Sequence, residues 1–400
     1  MTQRLYYDDP YLREFDASIT GIDRRGDAPV VTLDRTAFYP TSGGQPFDTG
    51  ALGPWRVVDV IDQDDGSIGH VAARAPETQS PSVGDRVHGE IDWARRFDHM
   101  QQHTGQHVLS AAFERLYQVP TVSFHLGTDV STIDVAREVT REEIAAAEDA
   151  ANQIVWEDRA IAIRYATAAE AARLPLRKEP AREGLLRVID VDRFDLSACG
   201  GTHVARTGGI GVIAVSAWER FKGGSRLEFV CGGRALSRFR ALRDTVASAV
   251  RLLSVAPRDL PETLDRLHTD ARDQKRTITA LHTDLARLRA EELARAAESG
   301  LIVRSFDADA PALKAIAGAI TARNGFLVVL VTARRPAQLV VARSADVDVS
   351  AHEIVQRLVA RFGGRGGGKP DLAQGGGLDA PPDAILAAAR EAAGRPTDRS

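Results

Sequence analysis

The sequence is poor in sulfur, in lysine and in long apolar runs. Two cysteines and two methionines occur in 400 residues. Two cysteines cannot build a disulfide framework, so a reducing compartment, the cytoplasm, is the expected location. No apolar run approaches the ~18 residues of a membrane span, which speaks against a membrane partner. The opening residues, Met1-Thr-Gln-Arg-Leu-Tyr-Tyr-Asp-Asp-Pro10, lack the apolar stretch of a signal peptide. A basic excess is missing too. The net charge is −4, so any nucleic acid must be held by local positive patches against an acidic background. Arginine supplies nearly all the positive charge, a bias that codon usage explains as well as phosphate contacts do. A hydrophobic content of 44% suits a globular chain, and this length allows two to four domains.

Against that background two short stretches stand out. His103-Thr-Gly-Gln-His107 lies in a run, Arg96 to Ser110, that reads as helix. Its histidines are one turn apart and project from the same face. Cys199-Gly-Gly-Thr-His203 has glycines that let a tight turn aim a thiolate and an imidazole at one point. Together His103, His107, Cys199 and His203 are ligand types that suit a tetrahedral Zn2+ ion. A zinc-peptidase helix is excluded, because the position that needs a glutamate general base holds Thr104, and Gln106 cannot take a proton. His99, one turn before His103, reads as a polar neighbour rather than a fifth ligand.

These stretches resemble those of the editing domain of alanyl-tRNA synthetases and of the freestanding alanyl-tRNA editing proteins. Thr36-Ala-Phe-Tyr-Pro-Thr-Ser-Gly-Gly-Gln-Pro-Phe-Asp48, Ser123-Phe-His-Leu-Gly127 and Thr202-His-Val-Ala-Arg-Thr-Gly208 extend the resemblance, in the same order, over about residues 1–235. The resemblance implies a trans-editing hydrolase. It would cleave the ester joining a wrong amino acid, serine first and glycine second, to alanine tRNA. It also implies that the glycine-rich segment borders the editing pocket, with Thr36 meeting the hydroxyl of a misplaced serine. Gln45 and His125 are further candidates for the reacting pocket, and Gly43 and Gly44 allow close backbone approach to the tRNA end. Four protein ligands would fill a zinc shell, the pattern of a structural site, so catalysis by the metal needs a ligand to leave, and Cys199 is the natural one. Nothing resembles an aminoacylation domain, so activity on free alanine and ATP is not expected. Two other readings stay open: a zinc-stabilised tRNA-binding module without turnover, and a deacylase for another aminoacyl ester.

The expected fold class is α+β, in four parts. Residues 1–93 read as short strands, among them Phe15–Ile22, Val30–Asp34, Trp55–Ile61 and Arg86–Trp93, that favour a small β-barrel. Residues 94–235 form the zinc-containing editing core, with a helix over 94–117, capping boxes at Thr140–Glu143 and Thr167–Glu170, and strands closing one sheet. Residues 236–298 form a helical arm. Its apolar seam, Leu264, Leu267, Ala271, Ile278, Leu281, Leu285 and Leu288, has heptad spacing. An antiparallel hairpin and a coiled-coil dimer fit that pattern equally. Residues 299–400 read as an α/β module that resembles the DHH-associated domain ending alanyl-tRNA synthetases, a second place where a homodimer can form. Its stretch from Gly363 to Gly377 reads either as an anion-binding loop, with Arg365 and Lys369 contacting tRNA phosphate, or as a flexible loop.

Overall fold

The structure is a computed structural model that describes all residues except 26–27, 74–81, 178–183, 298 and 395–400. It divides into two compact units, Met1–Ser248 and Ala249–Ser400.

The first unit opens with β1 (Gln3–Arg4), β2 (Glu14–Arg25), β3 (Ala28–Leu33), β4 (Arg35–Thr36), β5 (Gly50–Leu52), β6 (Trp55–Asp62), β7 (Ile68–Ala73) and β8 (Arg86–Ile91). Strands β2, β3, β7, β6, β5 and β8 close a barrel in that order, and β1 pairs with β4 beside it. Alternation drives the closure. Val87, Gly89 and Ile91 of β8 are buried between exposed Arg86, His88 and Glu90, and Phe15, Ala17 and Ile19 of β2 turn inward. Two barrel strands escape the sequence reading: β5 has only three residues, and β7 is buried almost throughout and shows no alternation.

Next comes α1 (Trp93–Tyr117), capped by the Asp92 side chain at one end and by left-handed Gln118 at the other. It is a core helix, buried at every position from Gln102 to Phe113. Around it lie β9 (Thr121–Leu126), β10 (Ser131–Val135), α2 (Arg141–Trp156), β11 (Ile161–Ala166), α3 (Ala168–Ala171), β12 (Leu186–Val191), β13 (Asp195–Ala198), β14 (Ile213–Phe221), β15 (Gly224–Cys231) and α4 (Gly232–Leu253). Both expected capping boxes form, at Thr140 and Thr167. The single expected sheet is two: β14-β15-β10-β9 and β11-β12-β13. The chain leaves the smaller sheet after β13 because Cys199 to Thr202 turn without strand geometry, and it re-enters the larger one only at β14.

The second unit holds α5 (Leu260–Ala296), β16 (Leu301–Phe306), α6 (Ala310–Thr321), β17 (Leu327–Thr332), β18 (Ala337–Arg343), α7 (Ala351–Phe362), β19 (Arg365–Gly368), β20 (Leu372–Leu378) and α8 (Pro382–Ala393). The expected helix end at Glu298 and chain end at Ser400 lie outside the described residues. One five-stranded sheet, ordered β16-β17-β18-β20-β19, carries helices on both faces. Val328 and Leu330 pack with α5 and α6, while Val329 and Val331 pack with α7 and α8.

The glycine-rich stretch after Gly363 is corrected here. It is a hairpin rather than an open loop, with Arg365 opposite Gly376 and Gly367 opposite Gln374. Its glycines serve packing: a Cβ on Gly366 would sit 2.6 Å from the Val355 side chain of α7, and one on Gly375 would sit 3.3 Å from it.

Candidate metal centre

The α1 helix brings His103 and His107 one turn apart, with ring centroids separated by 5.3 Å. The turn after β13 carries Cys199 and His203 to the same place. The His203 ring lies 4.5 Å from that of His103 and 4.7 Å from that of His107. The four ligand atoms all fall within 4.8 Å of one another. Cys199 Sγ is 3.3 Å from His103 Nε2 and 3.4 Å from His203 Nε2. Tetrahedral zinc with ordinary bond lengths spaces its ligand atoms about 3.3–3.6 Å apart.

A test of fit comes from the far side of each ring. His103 Nδ1 is 2.8 Å from Gln45 Oε1, His107 Nδ1 is 3.1 Å from Asp195 Oδ2, and His203 Nδ1 is 3.2 Å from Thr104 Oγ1. The tautomers follow. Gln45 Nε2 donates to Thr202 Oγ1 and its Oε1 accepts from the Thr202 amide, so that oxygen can only accept from His103. Thr104 donates its proton to the Met100 carbonyl, so it too can only accept. Every Nδ1 therefore carries a proton, which points every Nε2 toward the cysteine sulfur. Metal-bound histidines are oriented in this way.

Without an ion, the electrostatics set a Cys199 thiolate against a protonated His107, the pairing that a bound metal ion would replace. Burial pushes the Cys199 thiol up, but the facing His103 and His203 outweigh it and hold the thiol well below its ordinary range. Burial, with His103 nearby, lowers His203 to about 3. Burial also opposes protonation of His107, yet the bonded Asp195 and Cys199 raise it to about 9. The Asp195 carboxylate is held by Arg177 at 2.6 Å and by Ser197. Arg187 fixes the turn, donating to the carbonyls of Cys199 and Gly201 at 2.8 and 2.9 Å. Gly201 is required by space: a Cβ there would lie 2.1 Å from His103 Cε1.

The other sequence candidates are placed differently from expectation. Gln45 is fully buried and bonds protein groups at both ends of its amide, so it orients a ligand rather than facing a reacting atom. Thr36 is also fully enclosed, its hydroxyl 2.8 Å from His70 Nε2 and accepting from the Phe38 amide. His125 is exposed on β9; the strand turns its neighbour Phe124 toward the cluster instead, 5.9 Å from the His103 ring. Gly43 and Gly44 have positive φ, and a Cβ on Gly44 would meet the Phe124 ring at 2.6 Å, so close approach here is to the protein's own aromatic. Arg365 and Lys369 are exposed and belong to the second unit. His99 is buried outside the four-residue cluster. Sequence reasoning missed Asp195, Thr104, Arg187 and His70. Asp195, four residues before Cys199 on a strand leading into the turn, was the only one with a local signal.

Barrel, histidine helix and cysteine turn define an α+β protein in which three buried histidines and a half-buried cysteine form a site able to hold a metal ion. Residues 12–95 match the family of tRNA synthetases class II (A), residues 186–228 the threonyl and alanyl tRNA synthetase second additional domain, and residues 298–394 the DHHA1 domain. The alanyl-tRNA editing protein AlaX-L of Pyrococcus horikoshii is 32% identical over 98% of this chain and 98% of its own length. The chain belongs to the family of alanyl-tRNA editing proteins. Alanine–tRNA ligases also match: that of Halobacterium salinarum is 38% identical over 95% of this chain, and that of Pyrococcus abyssi 32% over 94%. The chain spans 42% of either ligase. Among the described residues no helix is long and apolar enough to cross a membrane.

Proposed function

We propose that this chain is a trans-editing deacylase, hydrolysing the ester between a wrong amino acid, serine before glycine, and the terminal adenosine of alanine tRNA. The observation that carries this reading is the cluster of His103, His107, Cys199 and His203, set in a chain alignable end to end with an editing protein. Zinc fits the donor set of three imidazoles and one thiolate. When bound, the ion supplies positive charge where the charged tRNA end arrives. Gln45, Asp195 and Thr104 hold the three rings in the tautomer that leaves Nε2 free for it. Arg187 and Gly201 set the turn that brings Cys199 into place.

Selectivity needs more than size, because serine exceeds alanine by a hydroxyl. We assign the discrimination to Thr36. His70 Nδ1 bonds the Val31 carbonyl, so it carries that proton and its Nε2 must accept the Thr36 proton. Thr36 can then offer a ligand only a lone pair, which serine can satisfy and alanine cannot. Thr36 is enclosed here, so this contact requires neighbouring side chains to shift as the ligand enters. Arg365 and Lys369, exposed on the second unit, are the proposed phosphate contacts. The cytoplasm, where charged tRNA is used, is the proposed location.

Purified chain incubated with seryl-tRNA(Ala) should release serine, and about one zinc per chain should be found. His103→Ala should lose both. Release by wild type from seryl- and threonyl-tRNAs of other specificities at equal rates would refute alanine-tRNA editing. Tight tRNA binding without serine release would leave only the binding-module reading.

A further inference from the structure

Arg187, on β12, is a buried cation with an unfilled place beside it. The residue is only 8% exposed. Its contacts are all with neutral oxygens: Nε donates to the Tyr7 carbonyl at 2.9 Å, and Nη1 to the carbonyls of Cys199 and Gly201. Among the described residues no carboxylate pairs with it, and Nη2 is enclosed without a hydrogen-bond partner. A charge held out of water without a counterion is destabilising, and so is a buried donor left unmade. Pinning the cysteine turn explains Nη1 but not Nη2.

The surroundings indicate the missing partner. The guanidinium carbon lies 5.6 Å from the centre of the Tyr7 ring. Arg4 faces the same ring at 5.7 Å, but Arg4 has its acid, Asp62, at 2.6 Å. Tyr7 is half-buried and borders the exposed tip of the turn, where a Cβ on Gly200 would lie 3.6 Å from its hydroxyl. An unpaired guanidinium suits a phosphate, and a half-open aromatic ring beside it suits a base. An oxyanion formed during ester hydrolysis is a poorer match, because it is transient and leaves the cation unpaired the rest of the time. A phosphodiester keeps its charge throughout.

We propose that Arg187 and Tyr7 form a subsite for the nucleotide preceding the terminal adenosine, with Arg187 Nη2 taking the phosphate between the two and the Tyr7 ring stacking on the base. The phosphate reaches Nη2 as the Tyr7 ring turns aside, a side-chain adjustment of the kind common on binding. This rests on the reading that a tRNA end enters at the metal cluster.

The test is equilibrium binding to the zinc-loaded full chain of adenosine, of the dinucleotide CpA, and of CpA with a neutral methylphosphonate linkage. Wild type should bind CpA roughly tenfold or more tightly than its neutral analogue. In Arg187→Gln that gap should close. Tyr7→Ala should weaken CpA about tenfold while leaving adenosine unchanged. Should Arg187→Gln lose its zinc, the wild-type comparison and Tyr7→Ala still decide. Wild type that binds the charged and neutral dinucleotides alike, or binds neither, overturns the proposal. So does a gap that persists in Arg187→Gln, or a Tyr7→Ala chain that binds CpA as wild type does. Phosphate-dependent binding without serine release from seryl-tRNA(Ala) keeps this subsite and removes the deacylase reading; serine release without phosphate dependence does the reverse.

Discussion

Arg96 and Asp48 form an ion pair sealed from solvent on both sides. Arg96 Nε lies 3.1 and 3.0 Å from the two carboxylate oxygens, and the guanidinium also donates to the carbonyls of Pro10 and Ala37. Asp48 in turn accepts from the Tyr39 amide. The pair ties the end of the glycine-rich segment to α1, two turns before His103. Removing one partner strands the other charge in the interior. Asp48→Ala should therefore destabilise the chain by about 3–5 kcal/mol, read as a lowered urea midpoint, while a surface control such as Arg164→Ala should not.

The residues behind the histidines tune the site without touching the ion. Asp195→Asn and Gln45→Leu should each weaken zinc affinity by roughly 10–100-fold, measured by competition with a chromophoric chelator. Unchanged affinity in both would show that ring orientation is set elsewhere.

Gly201→Ala places a methyl where His103 stands. The expected outcome is loss of bound metal with circular dichroism retained, because the clash is confined to the ligand turn.

Thr36→Val removes both the donor to His70 and the acceptor for the Phe38 amide. It should cost about 1–3 kcal/mol in stability. The ratio of seryl- to alanyl-tRNA hydrolysis, which does not depend on how much protein is folded, should fall about tenfold or more. A steady ratio would remove Thr36 from discrimination.

Burial holds His70 and His99 at about 4 against an ordinary 6.5. Both are neutral in the folded chain, and the unfolded chain binds their protons first. Their contribution is complete above pH 6.5 and is lost as pH falls toward 4, up to roughly 3 kcal/mol for each. Urea midpoints should be flat between pH 7 and 8 and fall between pH 6.5 and 4; a profile that stays flat to pH 4.5 would contradict this.

Much of the fold was legible because the signals were local. The spacing of His103 and His107, the caps at Thr140 and Thr167, and the alternation in β2 and β8 each act over a few residues. Glycine misled where the cause was tertiary. Gly366 and Gly375 have little strand preference of their own, and their hairpin makes sense only once α7 packs against it.

The sequence by itself determined which four side chains can hold a metal ion, since ligand chemistry and helix period belong to the residues. Tertiary structure alone decided which nitrogen each ring presents. Gln45, Asp195 and Thr104 reach their histidines across 58, 88 and 99 residues. Thr36 and His70, 34 apart, are likewise joined only by the closed barrel. A hydrogen bond of that span leaves no periodicity in the chain, because its geometry exists only after the elements between have folded.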